Sequence, residues 1–242
     1  MKMNQLCSIL CLLLLYVLFF LPGSSFAGPF VSAGGSAATP SVYEVTINKI
    51  EFKKSDGSYY TYLSTPVTID IGAASVAPGG TGGFASGQNP PPGTYTAMRV
   101  TIARTFGMTG SAINVGPAGP LTTCRTGGTG TTTIGVYTVS NALSGSGTGI
   151  KQSVSIPTSS DSSIENNMNN AGLLLINANE VQFEVPVSLT ISETDTYLPF
   201  EIDFDVSNRM EFLNTGSCYI IPLPPTVTVT TSSGTQTFDS GI

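Results

Sequence analysis

The side chains with most chemical reach lie late in the chain. Glu201, Asp203 and Asp205 sit at i, i+2 and i+4 in the segment Phe-Glu-Ile-Asp-Phe-Asp. On a strand that spacing puts three carboxylates on one face, with neighbours ~6.5–7 Å apart. Like charges in such a row repel, and a hard cation could offset the cost. Ca²⁺ takes six to eight oxygens, and Asp195 or Asn208 could complete a shell. The competing reading is a solvated outer face whose charges stop the strand from pairing with strangers. A second cluster is Tyr59, Tyr60 and Tyr62, of which Tyr60 and Tyr62 share a face. Exposed, that pair could bind a ligand by stacking on sugar rings; buried, the two are ordinary strand residues. The absence of tryptophan weighs against the sugar-binding reading.

Other chemistry is excluded by composition. The chain has no histidine, which removes Ser-His-Asp and Cys-His nucleophile systems and the usual catalytic zinc sites. No Gly-rich phosphate loop precedes a helix. A carboxylate-only or Ser-Lys mechanism survives in principle. The expectation is therefore no enzyme and no cofactor, calcium on the carboxylate row excepted.

The N-terminus reads as an export leader. Lys2 supplies a positive start, Ile9 to Leu21 is apolar, Pro22 and Gly23 break the run, and Ser25-Phe26-Ala27 offers small residues at a cleavage site. That pattern predicts a signal peptide over 1–27. The run falls short of the roughly 20 residues a spanning helix needs, so no membrane span is expected after cleavage. Cys7 and Cys11 leave with the leader. Cys124 and Cys218 remain, and in an oxidising compartment a disulfide is the default pairing. Acidic residues outnumber basic ones 15 to 9, which argues against nucleic acid and anionic lipid as partners.

Periodicity then places the elements. Val181, Phe183, Val185, Val187, Leu189 and Ile191 are apolar at every second position, with polar residues between. That is a strand with one buried face, in which Pro186 implies an edge or a bulge. The same alternation runs through Val67–Ile71, Met98–Ile102 and Phe200–Val206. The first strand, Val42 to Phe52, changes phase, which a bulge near Asn48-Lys49 reconciles. Tyr59 to Leu63 is its hairpin partner across Ser55-Asp56-Gly57. Tyr219–Leu223 and Thr226–Thr230 end the fold. No segment has a convincing helical period, and 159–172 reads as a polar loop with one helical turn at most. Residues 73–93 are Gly/Pro-rich. Residues 107–149 are Gly/Thr/Ser-rich and read as a long insertion with one strand at Ile134–Val139, functional or loose. The organisation expected is a leader (1–27), an N-terminal tail (28–40), one β-sandwich domain (41–231, insertion about 107–149) and a C-terminal tail (232–242).

Three segments in order carry a family likeness. They are YEVTINKIEFKKSDGSYYTYL, PPGTYTAMRVTI and IDFDVSNRMEFLNTGSCYIIPLPPTVTV. Together they resemble a family of secreted bacterial domains of unknown function, with a Pro-x-Gly-Thr-Tyr turn before an Arg-bearing strand and an Asp-Phe-Asp strand later. The likeness spans about 42–229, with the Gly/Thr insertion as a departure. It implies a transthyretin-like β-sandwich with Greek-key connections, and no reaction. It implies a structural part for the Asp pair, bonding Arg99 or Arg209. Adhesin modules of that shape can carry a Lys–Asn isopeptide bond, for which Lys49 with Asn208 or Asn214 are the candidates here.

These observations lead to an expected all-β, secreted or periplasmic module at the cell envelope or surface, with a structural, adhesive or ligand-binding role. Its expected partner is an extracellular protein or glycan. The alternative is a filament or matrix subunit that self-associates by strand addition through Thr226–Thr237. A carboxylate-dependent hydrolase is a third, weaker reading.

Overall fold

The computed structural model describes residues 35–74, 90–118, 121–160, 162–170, 172–194, 200–231 and 234–238. The expected leader, 1–27, lies outside these residues. Its strands are β1 (Ser36–Ala38), β2 (Val42–Lys54), β3 (Tyr59–Leu63), β4 (Val67–Asp70), β5 (Gly93–Ala103), β6 (Thr105–Thr109), β7 (Ser111–Val115), β8 (Pro117–Ala118), β9 (Thr122–Arg125), β10 (Thr131–Ile134) and β11 (Tyr137–Asn141). They continue with β12 (Leu143–Ser144), β13 (Gln152–Ser155), β14 (Thr158–Ser159), β15 (Leu173–Asn177), β16 (Glu180–Ile191), β17 (Phe200–Asp205), β18 (Met210–Thr215), β19 (Cys218–Pro222), β20 (Thr226–Thr231) and β21 (Gly234–Phe238). Among the described residues helix is confined to one turn, α1 (Ile71–Ala74), and two turns, α2 (Ser163–Asn170). The second is longer than the polar loop expected there, because Ile164 and Met168, four apart, both reach the core.

The fold is an all-β sandwich. One layer is the eight-stranded sheet β13-β6-β2-β5-β16-β15, with β3 and β4 on the far side of β2. Facing it are a seven-stranded sheet built on β1-β18-β19-β11-β10 and a three-stranded sheet β17-β20-β21. A further small sheet, β12-β9-β7, lies against β18 and β19. Sheet neighbours such as β5 and β16, or β11 and β19, are far apart in sequence, so the chain crosses between sheets rather than meandering. The layers are joined inside by Tyr43, fully buried, whose hydroxyl donates to the Leu223 carbonyl at 2.9 Å.

Alternation is visible in the burial itself. Every second residue of β16 from Val181 to Ile191 is buried and the residues between are not. The expected irregularity at Pro186 is there, as a register shift against β5 between Pro186 and Leu189. The phase change in β2 is also there, a shift against β5 between Ile47 and Lys49, which lets both Ile47 and Ile50 face the core. The β2–β3 hairpin turns at Gly57 with φ +86°, a region that favours glycine.

Three expectations need correction. Part of the N-terminal tail, Ser36–Ala38, pairs with β18. Part of the C-terminal tail, Gly234–Phe238, pairs with β20. The insertion is neither irregular nor loose: 107–149 supplies β7 to β12 and most of β6. Polar side chains and close backbone contacts hold it. Gln152 accepts from the Gly127 and Gly128 amides at 2.6 and 2.9 Å and donates to the Asn141 carbonyl at 2.9 Å. A Cβ at Gly128 would run into the Asn141 carbonyl, and one at Gly149 into the Gly110 carbonyl. Glycine is there for close approach, not for looseness.

Candidate functional site

Cys124 on β9 and Cys218 on β19 form a disulfide, with Cα atoms 5.6 Å apart. Both are buried, and the bond ties the insertion's small sheet to the sandwich.

Asp203 and Asp205 are exposed on the outer face of β17, and Glu201 lies in register with them on the same strand. Their cross-strand partners are Thr228, Thr226 and Thr230. Asp205 accepts from the Ser207 amide at 2.8 Å, and the Ser207 hydroxyl together with that amide holds its carboxyl below the usual range. Among the described residues no group of three His, Cys, Asp or Glu is placed to hold a metal. Asp195 lies outside the described residues. The inward residues of the same strand, Ile202 and Phe204, line an apolar cavity on the opposite face. Asp203 and Asp205 point away from that cavity.

The tyrosines divide by face. Tyr60 and Tyr62 are half-buried and pack against the core, with Tyr62 edge-on to Phe52 at 5.6 Å. Burial raises the Tyr62 hydroxyl pKa. This is the packing of ordinary half-buried strand residues. Tyr59 points the other way, into a charged network across β2, β3, β5 and β16 that the sequence reading did not find. The Arg99 guanidinium lies 3.5 Å from the centre of the Tyr59 ring and binds Glu51 at 2.7–2.8 Å. Lys49 reaches the other Glu51 oxygen at 2.7 Å. Tyr59 donates to Glu184 at 2.7 Å, and Lys53 reaches Glu184 at 3.0 Å. Burial pushes the Glu51 carboxyl up, but its bonds to Lys49 and Arg99 outweigh this and hold it low. Glu184 is likewise held low by Tyr59 and Lys53 against its own burial. Both acids are thus ionised at neutral pH and spent on internal partners, which suits bracing of the sheet and not proton transfer.

This network settles two details. Arg99 pairs with Glu51 rather than with the Asp-Phe-Asp strand, while Arg209 donates to Thr226, the cross-strand neighbour of Asp205. Lys49 is held at Glu51 on the large sheet, whereas Asn214 is buried in β18, donating to the Val115 carbonyl and accepting from Gly216. Asn208 lies exposed in the turn before β18. Lys49 is thus engaged with Glu51, and Asn214 with Val115 and Gly216. The Pro-x-Gly-Thr-Tyr motif also gains a cause: the Tyr95 hydroxyl donates to the Pro91 carbonyl at 2.6 Å, closing the turn on itself.

The segment considered for strand addition is occupied in cis. β20 is paired by β17 on one side and β21 on the other, with Thr228–Thr237 and Thr230–Thr235 hydroxyl contacts along the hairpin.

What the sequence reading missed is a set of exposed apolar side chains around the small sheet. Ile113, Leu121 and Ile150 are 70%, 66% and 61% exposed. Ile113 is on β7, Leu121 precedes β9, and the Ile150 amide donates to Thr126 just after β9. Arg125 is the only charged residue between Gly107 and Gly149. Long uncharged stretches were legible; their outward isoleucines and leucine were not.

Among the described residues no helix is long and apolar enough to cross a membrane. Comparison with family models, with curated proteins and with solved structures finds no match. The likeness to secreted domains of unknown function therefore rests on the three motifs alone.

Proposed function

We propose that this chain is an exported, non-catalytic β-sandwich module that works at the bacterial cell envelope or surface by binding a protein partner. One observation carries the reading. Ile113 on the disulfide-tied small sheet and Leu121 just before its strand β9 are largely exposed in a stretch, 107–149, whose single charge is Arg125, and the exposed Ile150 follows that stretch. Interface cores are depleted of charge, and function concentrates on loops held by a rigid scaffold. Glu51 and Glu184, in contrast, are engaged on the large sheet, and Asp203 and Asp205 stand on an outer face. The disulfide is compatible with an oxidising compartment.

The test has two arms. The protein recovered from an export-competent host should have the mass of Gly28–Ile242 with one disulfide; a full-length product retained in the cytosol refutes export. Photo-crosslinkers placed at Asn114 or Thr122 should capture an envelope protein. The variant Ile113→Ser/Leu121→Ser/Ile150→Ser should lose that product while keeping its melting temperature. Capture that survives the triple substitution refutes this surface.

A further inference from the structure

A different feature, independent of that surface, lies inside the sandwich. Between the eight-stranded sheet and β17-β20-β21 is a cavity of about 40 Å³. Its lining is apolar throughout, and includes Val45, Val100, Ile202, Phe204, Val227 and Phe238. Protein interiors are normally filled to crystal-like density, so a void costs stability. A void of this size has room for roughly three water-sized groups, but water needs polar partners and none is offered.

The cavity also reaches the outside. Ile69, Ile202, Phe204, Pro224, Pro225 and Phe238 line it and are only half-buried. One wall is closed by a side-chain stack: Phe238 of β21 lies on Phe183 of β16, centroids 5.1 Å apart and planes 17° apart. Phe238 belongs to the last strand of a hairpin, so it can swing without breaking the large sheet. The chain carries a net charge of −6, and no charged side chain among the described residues lines the cavity. An anionic head group would be repelled there.

We propose that this cavity is a binding site for the end of a hydrocarbon chain belonging to an uncharged amphiphile, entered past Phe238. Apolar, dry and partly open space accepts methylene groups and gives a polar head nothing to bond, so the head stays in water.

The experiment is equilibrium dialysis of the whole mature protein with radiolabelled 1-dodecanol as the probe, followed by displacement with unlabelled 1-dodecanol or dodecanoate. The expected result is saturable one-to-one binding, displaced by dodecanol at lower concentration than by dodecanoate. Val100→Phe fills the cavity and should weaken probe binding by about tenfold or more. If it does not fold, Val100→Leu adds a single methylene and should still weaken it. The variant Ile113→Ser/Leu121→Ser/Ile150→Ser should bind the probe as the parent does, which separates this site from the proposed interface. No saturable binding, affinity unchanged by filling at Val100, or preferential displacement by dodecanoate would overturn the proposal.

Discussion

Reducing the Cys124–Cys218 bond should destabilise the protein by about 3–5 kcal/mol without unfolding it. The two cysteines are 94 residues apart. In the chain-entropy model, closing a loop of that length removes about 4–5 kcal/mol of unfolded-state freedom. Both residues are buried, and backbone hydrogen bonds hold their surroundings as well. The Ala142 amide still donates to the Cys218 carbonyl at 2.8 Å, and Thr126 still binds Gly110 at 3.0 Å. The native state should therefore persist on reduction, with the loss located in a freer denatured chain. Urea unfolding of the oxidised protein, the reduced protein and the Cys124→Ala/Cys218→Ala variant measures this. The reduced forms should show a lower midpoint and a steeper m-value, because a chain without the bond exposes more surface on unfolding. A loss below about 1 kcal/mol with unchanged m would refute the entropy argument. Complete unfolding on reduction would show that the insertion lacks the non-covalent hold described above.

Other outcomes follow from the charged network and the inter-layer bond. Arg99→Met leaves Glu51 buried without its guanidinium and should cost about 2–4 kcal/mol in urea unfolding, whereas Glu51→Met/Arg99→Met should recover most of it. A double variant as unstable as the single would mean that packing, not charge, is lost. Tyr43→Phe strands the Leu223 carbonyl and should cost about 1–3 kcal/mol; a neutral effect in thermal unfolding would contradict that bond's role. Glu51 and Glu184 have folded pKa values below their unfolded ones. Their contribution is present above the unfolded value of 4.5 and disappears as pH falls below it through the folded values. Stability should thus decline as pH falls below about 4.5, with a shallower slope in Glu51→Gln. An unchanged slope would remove Glu51 from the account.

Much of the sandwich was legible because hydrophobic alternation is a direct image of a half-buried strand. Val181–Ile191 needed no other information, and the phase break at Asn48-Lys49 gave the bulge. The insertion was illegible for the opposite reason. Its strands are short, and Thr126, Asn141 and Gln152 hold it by side-chain-to-backbone bonds that leave no period in the sequence. Glycines that permit tight backbone contact look the same in sequence as glycines that permit motion. The candidate sites fared unevenly for a related cause. Spacing put Asp203 and Asp205 on one face, yet spacing cannot say whether a third dimension closes around them. Glu51, Arg99, Tyr59 and Glu184 come from four strands, and no local motif announces their meeting. The disulfide was legible from compartment chemistry and count alone.

The binding role is tested most directly by envelope crosslinking at the small sheet β12-β9-β7, comparing the parent with Ile113→Ser/Leu121→Ser/Ile150→Ser at equal folded concentration. A single partner band from the parent that vanishes in the variant is the predicted result. A band of undiminished intensity in the variant, with the same melting temperature, would contradict the claim that this disulfide-anchored apolar surface is where the protein acts.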